Sequence, residues 1–416
     1  MALSSPGTGV AAATDSAQAP RPTRGLLPLL LLGNTAMYAL YIGVPGFLLT
    51  LQVADIDPAN KVSNFSLIMG VSAIFATVFN PIAGALSDRS GRRNPWILGG
   101  GIGALVVMGL LGGVNTVLLV TIFWCLGQAA MNFYQAALTS VVPDRIPVAS
   151  RGKASAAVGL GMPIGSTIGA LIGAAVSDSY RTGYLIFGVI VAVAAVIFTT
   201  CAKEERRPGK PPVPFKEQVK TFASALANHD FRWAFIGRAL LILGYFAVLG
   251  LQMYILTDHT KLPSGMEAPT AAFILTTVNS AASVVSTVLG GWLSDKYNRR
   301  KLFVAISALL AALAMVFPAL SSSWTAMLLF GVVNGLGFGC YMAVDTALVT
   351  MVLPKSEDAA RDMGILNVAN AGPQIAAPFV AGMVVELSGG YTALFVVAAV
   401  LSLLGALAVY PIRSVR

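Results

Sequence analysis

GALSDRSGRRNPW, residues 84–96, returns later in the chain as GGWLSDKYNRRKLF, residues 290–303. Asp88 and Asp295 stand 207 residues apart, about half of the 416-residue chain. Each stretch is a knot of Arg and Lys wedged between two long apolar runs. A second pair of stretches repeats at nearly the same offset: YQAALTSVVPD from Tyr134 to Asp144, and YMAVDTALVTMVLPK from Tyr341 to Lys355. Duplication at half the chain length predicts two similar halves, and the flanking apolar runs say what those halves are made of.

Those runs are long. Apolar residues make up 56% of the chain and charged residues 11%, where a soluble domain carries roughly 25% charged residues. Working outward from the two basic loops, twelve segments approach the ~20 residues a helix needs to cross a bilayer. They are 26–52, 63–86, 95–113, 115–142, 153–176, 182–202, 232–257, 269–293, 302–320, 325–353, 363–387 and 391–411. The first is too long for a cleaved signal segment and reads as a retained span. The predicted fold is an all-α membrane protein of twelve spans in two six-helix halves. The expected organisation is a disordered N-terminus over 1–24, bundles over 25–202 and 232–412, a proline-rich linker over 203–231 and a tail over 413–416. Residues 215–226 read equally as a surface helix or as plain linker. Gly161, Gly165, Gly169 and Gly173, four residues apart, predict a face for close helix packing.

Charge placement sets orientation. Of 27 Lys and Arg, 23 fall at the termini or in even-numbered loops, and only Lys61, Arg181 and Lys261 in odd ones. The positive-inside rule then puts both termini in the cytoplasm of a cell-membrane protein. This placement, on alternate loops, argues against nucleic acid as the partner of the +9 net charge. Cys125, Cys201 and Cys340 have neither disulfide-framework nor metal spacing. His229 and His259 fall on opposite sides, so no His metal cluster or Ser–His pair forms from them. No Walker loop is present. Neither enzyme, metal, cofactor nor ATP drive is expected.

Gly84, Asp88, Arg89, Gly91, Arg92 and Arg93 fill every fixed position of a motif G-x-x-x-D-R-x-G-R-R. The loop resembles the signature between the second and third spans of major facilitator transporters. The second copy keeps Gly291, Asp295, Arg299 and Arg300 but has Lys296 for the first Arg and Asn298 for the late Gly. The resemblance implies the major facilitator fold and alternating access. It implies a gating role for the signature: Gly84 would permit close helix approach, and Asp88 would pair with an Arg or a helix N-terminus. More narrowly, RRNPWILGGGIG (92–103) and residues 341–382 are similar to glycoside–pentoside–hexuronide:cation symporters and sucrose-transporter-like proteins of actinobacteria. That implies an importer of a sugar or similar small polar solute, coupled to a cation, the proton; a monomer is expected. The alternative is a proton-driven exporter of a drug or secondary metabolite.

Two ionisable residues fall well inside spans, Arg238 in the seventh and Asp345 in the tenth. Charges there are costly and face a cavity or each other. Their similar depth predicts a pair, serving either coupling or the structure of the C-terminal half. The resemblance implies that spans one, four, seven and ten line the cavity. Candidate cavity residues are Asn34, Tyr38, Tyr41, Gln128, Asn132, Gln135, Tyr245, Gln252, Asn334 and Tyr341, with Asn367, Asn370 and Gln374 on the eleventh span. Amides and tyrosines are the side chains a sugar needs.

Overall fold

The computed structural model describes residues 25–147, 150–204, 224, 226–297, 299–352 and 359–413. Twelve long helices account for the described chain. The first half holds α1 (Leu26–Ile56), α2 (Lys61–Ser90), α3 (Asn94–Leu111), α4 (Val117–Arg145), α5 (Arg151–Ala175) and α6 (Tyr180–Cys201). The second holds α7 (His229–Gly250), α8 (Ala268–Tyr297), α9 (Arg300–Leu320), α10 (Trp324–Val352), α11 (Ala359–Ser388) and α12 (Tyr391–Val409). Eleven of these are long and apolar enough to cross a membrane; α11 is thirty residues long and corresponds to the remaining expected span. Among the described residues the only β-pairing is a bridge between Lys261 and Ser323. Most of the region 203–231 lies outside the described residues, including all but Ser224 and Leu226 of the surface-helix candidate.

Local chemistry sets several helix ends. Gly91 takes φ +64° and closes α2, a left-handed cap that favours glycine. The Asn228 side chain accepts hydrogen bonds from the backbone N–H groups of Asp230 and Phe231, capping α7. Pro95 sits in the first turn of α3, where its missing N–H costs nothing.

Packing repeats between the halves. α1 packs on α5 and α6, α2 on α4, and α3 on α4 and α6. The second half repeats this in register: α7 on α11 and α12, α8 on α10, and α9 on α10 and α12. Between halves, α2 meets α11 and α5 meets α8. The glycine stripe lies where α5 meets α1. A Cβ built on Gly161, Gly165, Gly169 or Gly173 would fall 2.5–2.6 Å from Asn34, Thr35, Ala39 or Phe47. Outward-facing Leu67, Ile74, Val106, Leu118, Leu171, Val288 and Leu407 remain exposed, as a lipid-facing surface requires.

The repeat reaches an irregularity that hydropathy does not reveal. α1 widens to a π-helical turn over Val44–Leu48, and α7 is followed, after Gln252–Tyr254, by a π-helical turn over Ile255–His259. Val44 and Ile255 are 211 residues apart, so the two distortions occupy equivalent places. In α1 the cause is Pro45, which has no N–H to give to the preceding turn.

Candidate functional site

A cavity of about 180 Å³ lies between the halves. Its wall comes from α1 (Tyr41, Pro45, Gly46), α2 (Phe65, Met69), α5 (Met162, Ser166) and α7 (Tyr245, Phe246, Leu249). Gln252 after α7, Thr276, Asn279, Ser280 and Ser283 of α8, Phe338 of α10, and Gln374 and Pro378 of α11 complete it. Of the candidate residues, Tyr41, Tyr245, Gln252 and Gln374 line it. Asn34, Tyr38, Gln128, Asn132, Gln135, Asn334 and Tyr341 do not. Asn367 and Asn370 have side chains outside the described residues.

Three of the displaced residues make hydrogen bonds elsewhere instead. Asn34 donates to the Leu30 carbonyl one turn back, and Asn132 to that of Gln128. Gln135 accepts the Tyr41 hydroxyl at 3.1 Å, so it stands one layer behind the cavity. Both amide atoms of Asn334 are buried and lack a hydrogen-bond partner among the described residues. The expectation also misses the contributions of α2, α5 and α8, while α11 enters as expected through Gln374. Ser, Thr, Phe and Met on these helices gave no signal, because each is ordinary inside any membrane helix. The α8 polar residues do show a pattern in retrospect. Thr276, Asn279, Ser280 and Ser283 recur at three- and four-residue spacing, one face of a helix.

Above the cavity, on the face where Lys and Arg are few, the halves are joined by polar contacts. Lys61 Nζ of α2 lies 2.7 Å from Asp258 Oδ1 in the π turn after α7. The other Asp258 oxygen accepts the Tyr391 hydroxyl of α12 at 2.9 Å. Tyr254 donates its hydroxyl to the Thr50 carbonyl of α1 at 2.9 Å. Its ring meets Phe65 edge-on, 5.7 Å between centroids, with the Lys61 ammonium 5.4 Å from its own centre. Phe65 thus belongs to both the cavity wall and its roof. This latch was not foreseen: Lys61 figured only as a sparse odd-loop charge.

On the opposite face, the signature loop forms a network within the first half. Arg93 contacts Asp88, donates to Ser87 Oγ at 2.7 Å, and bonds Asp144 of α4 at 2.8 Å. Burial works against the charge on Arg93, but hydrogen bonds and attraction from Asp88 and Asp144 outweigh it and hold its proton more tightly than usual. Glu204, past α6, caps α3 by accepting from Arg93 N at 2.6 Å and Asn94 N at 2.8 Å. Arg89 and Arg92 are exposed. One expectation needs correction. A Cβ on Gly84 would have nothing within 4 Å, and one on Gly291 would make only ordinary contact with Ala343 at 3.7 Å. Close approach in this arrangement uses other glycines: Gly70 against Phe379, Gly382 against Ser66 and Gly290 against Cys340. In the second copy, the Asp295 side chain and all of Asn298 lie outside the described residues; Arg299 is exposed and Arg300 half-buried.

Arg238 and Asp345 do come together. Arg238 Nε is 3.3 Å from Asp345 Oδ2, both side chains are buried, and the geometry is that of a charge pair without hydrogen-bond alignment. They share a small void with Tyr341 and with Val304 of α9 and Gly405 and Val409 of α12. The pair therefore faces the interior of the second half and is absent from the wall of the central cavity.

Two repeated six-helix bundles around a shared, roofed cavity define a polytopic membrane transporter. The chain belongs to the Major Facilitator Superfamily, whose sequence profile matches residues 29–275 and again 265–416. It is 26% identical over 345 residues to the MFS transporter asaE of Aspergillus flavus, covering 79% of this chain and 72% of that protein. It is 24% identical over 300 residues to the multi-drug resistance efflux pump PmrA of Streptococcus pneumoniae, covering 70% and 71%. Its fold matches a crystal structure of the nucleoside transporter NupG with a TM-score of 0.76 at 14% identity, covering 93% of this chain and 99% of that one.

Proposed function

We propose that the chain is a secondary active transporter that exports a small organic solute from the cytoplasm by alternating access, driven by protons. The observation that carries this reading is the cavity between two pseudo-symmetric halves, roofed on one face by contacts that cross from half to half. Rocking one half against the other breaks such contacts and exposes the cavity to the roofed side. The basic loops lie on the face opposite the roof, which supports a cytoplasmic position for that face. Asp88 then works with Arg93 and Asp144 as a brace whose rearrangement accompanies closure on that side. The likeness to a multi-drug efflux pump supports export.

A second reading, cation-coupled sugar import, is favoured by stretches 92–103 and 341–382. It fits the cavity less well, because of the eleven candidate polar residues whose side chains are described only four line it. Spin labels on Cys at Asn60 and Ser264, exposed loop positions of the two halves, test alternating access in a cysteine-free background. Two distance populations, exchanging weight with pH, are expected in nanodiscs. One invariant distance at every pH sinks the mechanism.

A further inference from the structure

We infer that the solute is an uncharged molecule with a flat aromatic or apolar ring, and that Phe338, stacked with Tyr245, forms the wall that recognises it. The inference rests on the transport reading above and names its substrate class.

The wall from the second half is aromatic and rigid. The Tyr245 and Phe338 rings stack 3.9 Å apart at 14°, and Phe246 meets them edge-on at 4.9 and 5.9 Å. A ring added to such a cluster gains offset or edge-on contacts beyond simple burial. The first half faces it with Phe65, Met69 and Met162. Thioethers adapt to irregular ring shapes, which suits a set of related solutes rather than one.

The polar atoms of the cavity are largely committed. Tyr245 gives its hydroxyl to Asn279 at 2.8 Å, and Asn279 gives its own amide to the Gly331 carbonyl at 3.2 Å. Gln252 spends its amide on Ala272 O and Thr276. These bonds tie α7 to α8 and α8 to α10. A polyol entering here leaves most of its hydroxyls without partners, and a buried unpaired hydroxyl is unfavourable. A few serine hydroxyls and Gln374 suffice for a ring with one or two polar substituents. Among the described residues that line the cavity there is no Asp, Glu, Lys, Arg or His. An ion would lose its hydration with no opposite charge to replace it.

Gly46 supplies a clean probe of this space. It lies on the cavity wall in the π turn of α1, and a Cβ built there meets nothing within 4 Å. A larger side chain at this position starts from open space on the cavity wall and takes up part of the cavity's volume.

The test uses the full chain purified in detergent and follows thermal unfolding with added 1-naphthol, sucrose, lactate or tetraphenylphosphonium. These represent a neutral ring, a polyol, an anion and an aromatic cation. 1-Naphthol is expected to stabilise saturably and the other three not. Gly46→Leu should unfold at the wild-type temperature without ligand yet need about tenfold more naphthol, through occlusion of its volume. Phe338→Ala should weaken naphthol similarly, and Phe338→Trp should retain it. Stabilisation by sucrose, lactate or the cation in place of naphthol overturns the substrate class while leaving alternating access standing, since the spin-label distances judge that separately. Equal naphthol sensitivity in wild type, Gly46→Leu and Phe338→Ala overturns the location. Absence of stabilisation by all four overturns the aromatic assignment as well.

Discussion

At the scale of single residues, Arg238 and Asp345 show what a sequence reveals about a membrane interior. An Arg and an Asp inside apolar runs announce themselves, because each is costly unless partnered. Their estimated depths converged, and α7 and α10 bring them to 3.3 Å. What the pattern did not reveal is the side of the helix. With α7 starting at His229 and α10 ending at Val352, the pair lies between α7, α9, α10 and α12, away from the central cavity. Removing one partner strands the other in a low-dielectric site, at about 3–5 kcal/mol. Arg238→Ala and Asp345→Ala are each expected to lower the melting temperature in detergent sharply. Arg238→Met with Asp345→Leu should recover most of the loss, because an apolar pair strands nothing. If the pair is structural, transport recovers alongside stability. If Asp345 carries the coupling proton, stability returns while gradient-driven accumulation does not. Additive damage in the double variant would count against a direct interaction.

Elements were legible in proportion to how strongly membrane physics constrains them. Eleven of the twelve spans lie within about four residues of their expected ends, since hydrocarbon thickness sets helix length; α7 stops at Gly250, before the π turn, seven residues short of its expected end. The glycine stripe of α5 was legible for the same reason: small residues at four-residue spacing let backbones touch. Gly165→Leu drives a side chain into the Thr35 carbonyl and the Tyr38 Cβ, 2.6 and 2.8 Å from where its Cβ would stand. It is expected to cost more than the ~1–3 kcal/mol typical of overpacking, because backbone atoms must move. The check is melting temperature and folded yield. Gly159→Leu, with nothing within 4 Å of the built Cβ, should be close to neutral on both measures. The signature loop shows the other side of this lesson. Gly91 was readable as a glycine and is explained by its φ of +64°. At Gly84, in the same motif, a Cβ would meet nothing within 4 Å, so close packing does not explain it here. Asp88→Asn weakens the hold on Arg93, which Asp144 and Ser87 still keep. Folded protein should therefore stay near wild type while turnover falls, a split read by comparing membrane yield with the transport rate. Wild-type turnover would remove the signature from the cycle.

On the alternating-access reading proposed above, the whole molecule balances two arrangements of its halves, and the latch above the cavity weighs on that balance. Lys61, Asp258, Tyr391 and Tyr254 are scattered over 330 residues of sequence, which is why no motif pointed to them; only the fold brings them to one face. The Lys61 and Asp258 side chains are 23% and 32% exposed, so water and salt screen their attraction. A pair of this kind contributes about 0.2–1 kcal/mol. That is small against folding but sufficient to shift a near-balanced equilibrium severalfold, since 1.4 kcal/mol is about a factor of ten. Lys61→Glu places two carboxylates together and Asp258→Lys two ammonium groups, and each is expected to move spin-label distances toward the population open on this face. The exchanged pair, Lys61→Asp with Asp258→Lys, should restore closure in part. Recovery stays incomplete because Tyr391 donates to Asp258 in the wild type, and a lysine there cannot accept that hydroxyl proton. Raising salt toward 1 M, where screening acts within about 3 Å, should move the wild type in the same direction as the single reversals and move the reversals back the other way, because their repulsion is screened too. Thermal stability should change little throughout, because each half keeps its own packing. Distances indifferent to both reversals and to salt would make the latch a bystander, and leave the Tyr254–Thr50 bond and the Phe65 contact as the roof that matters.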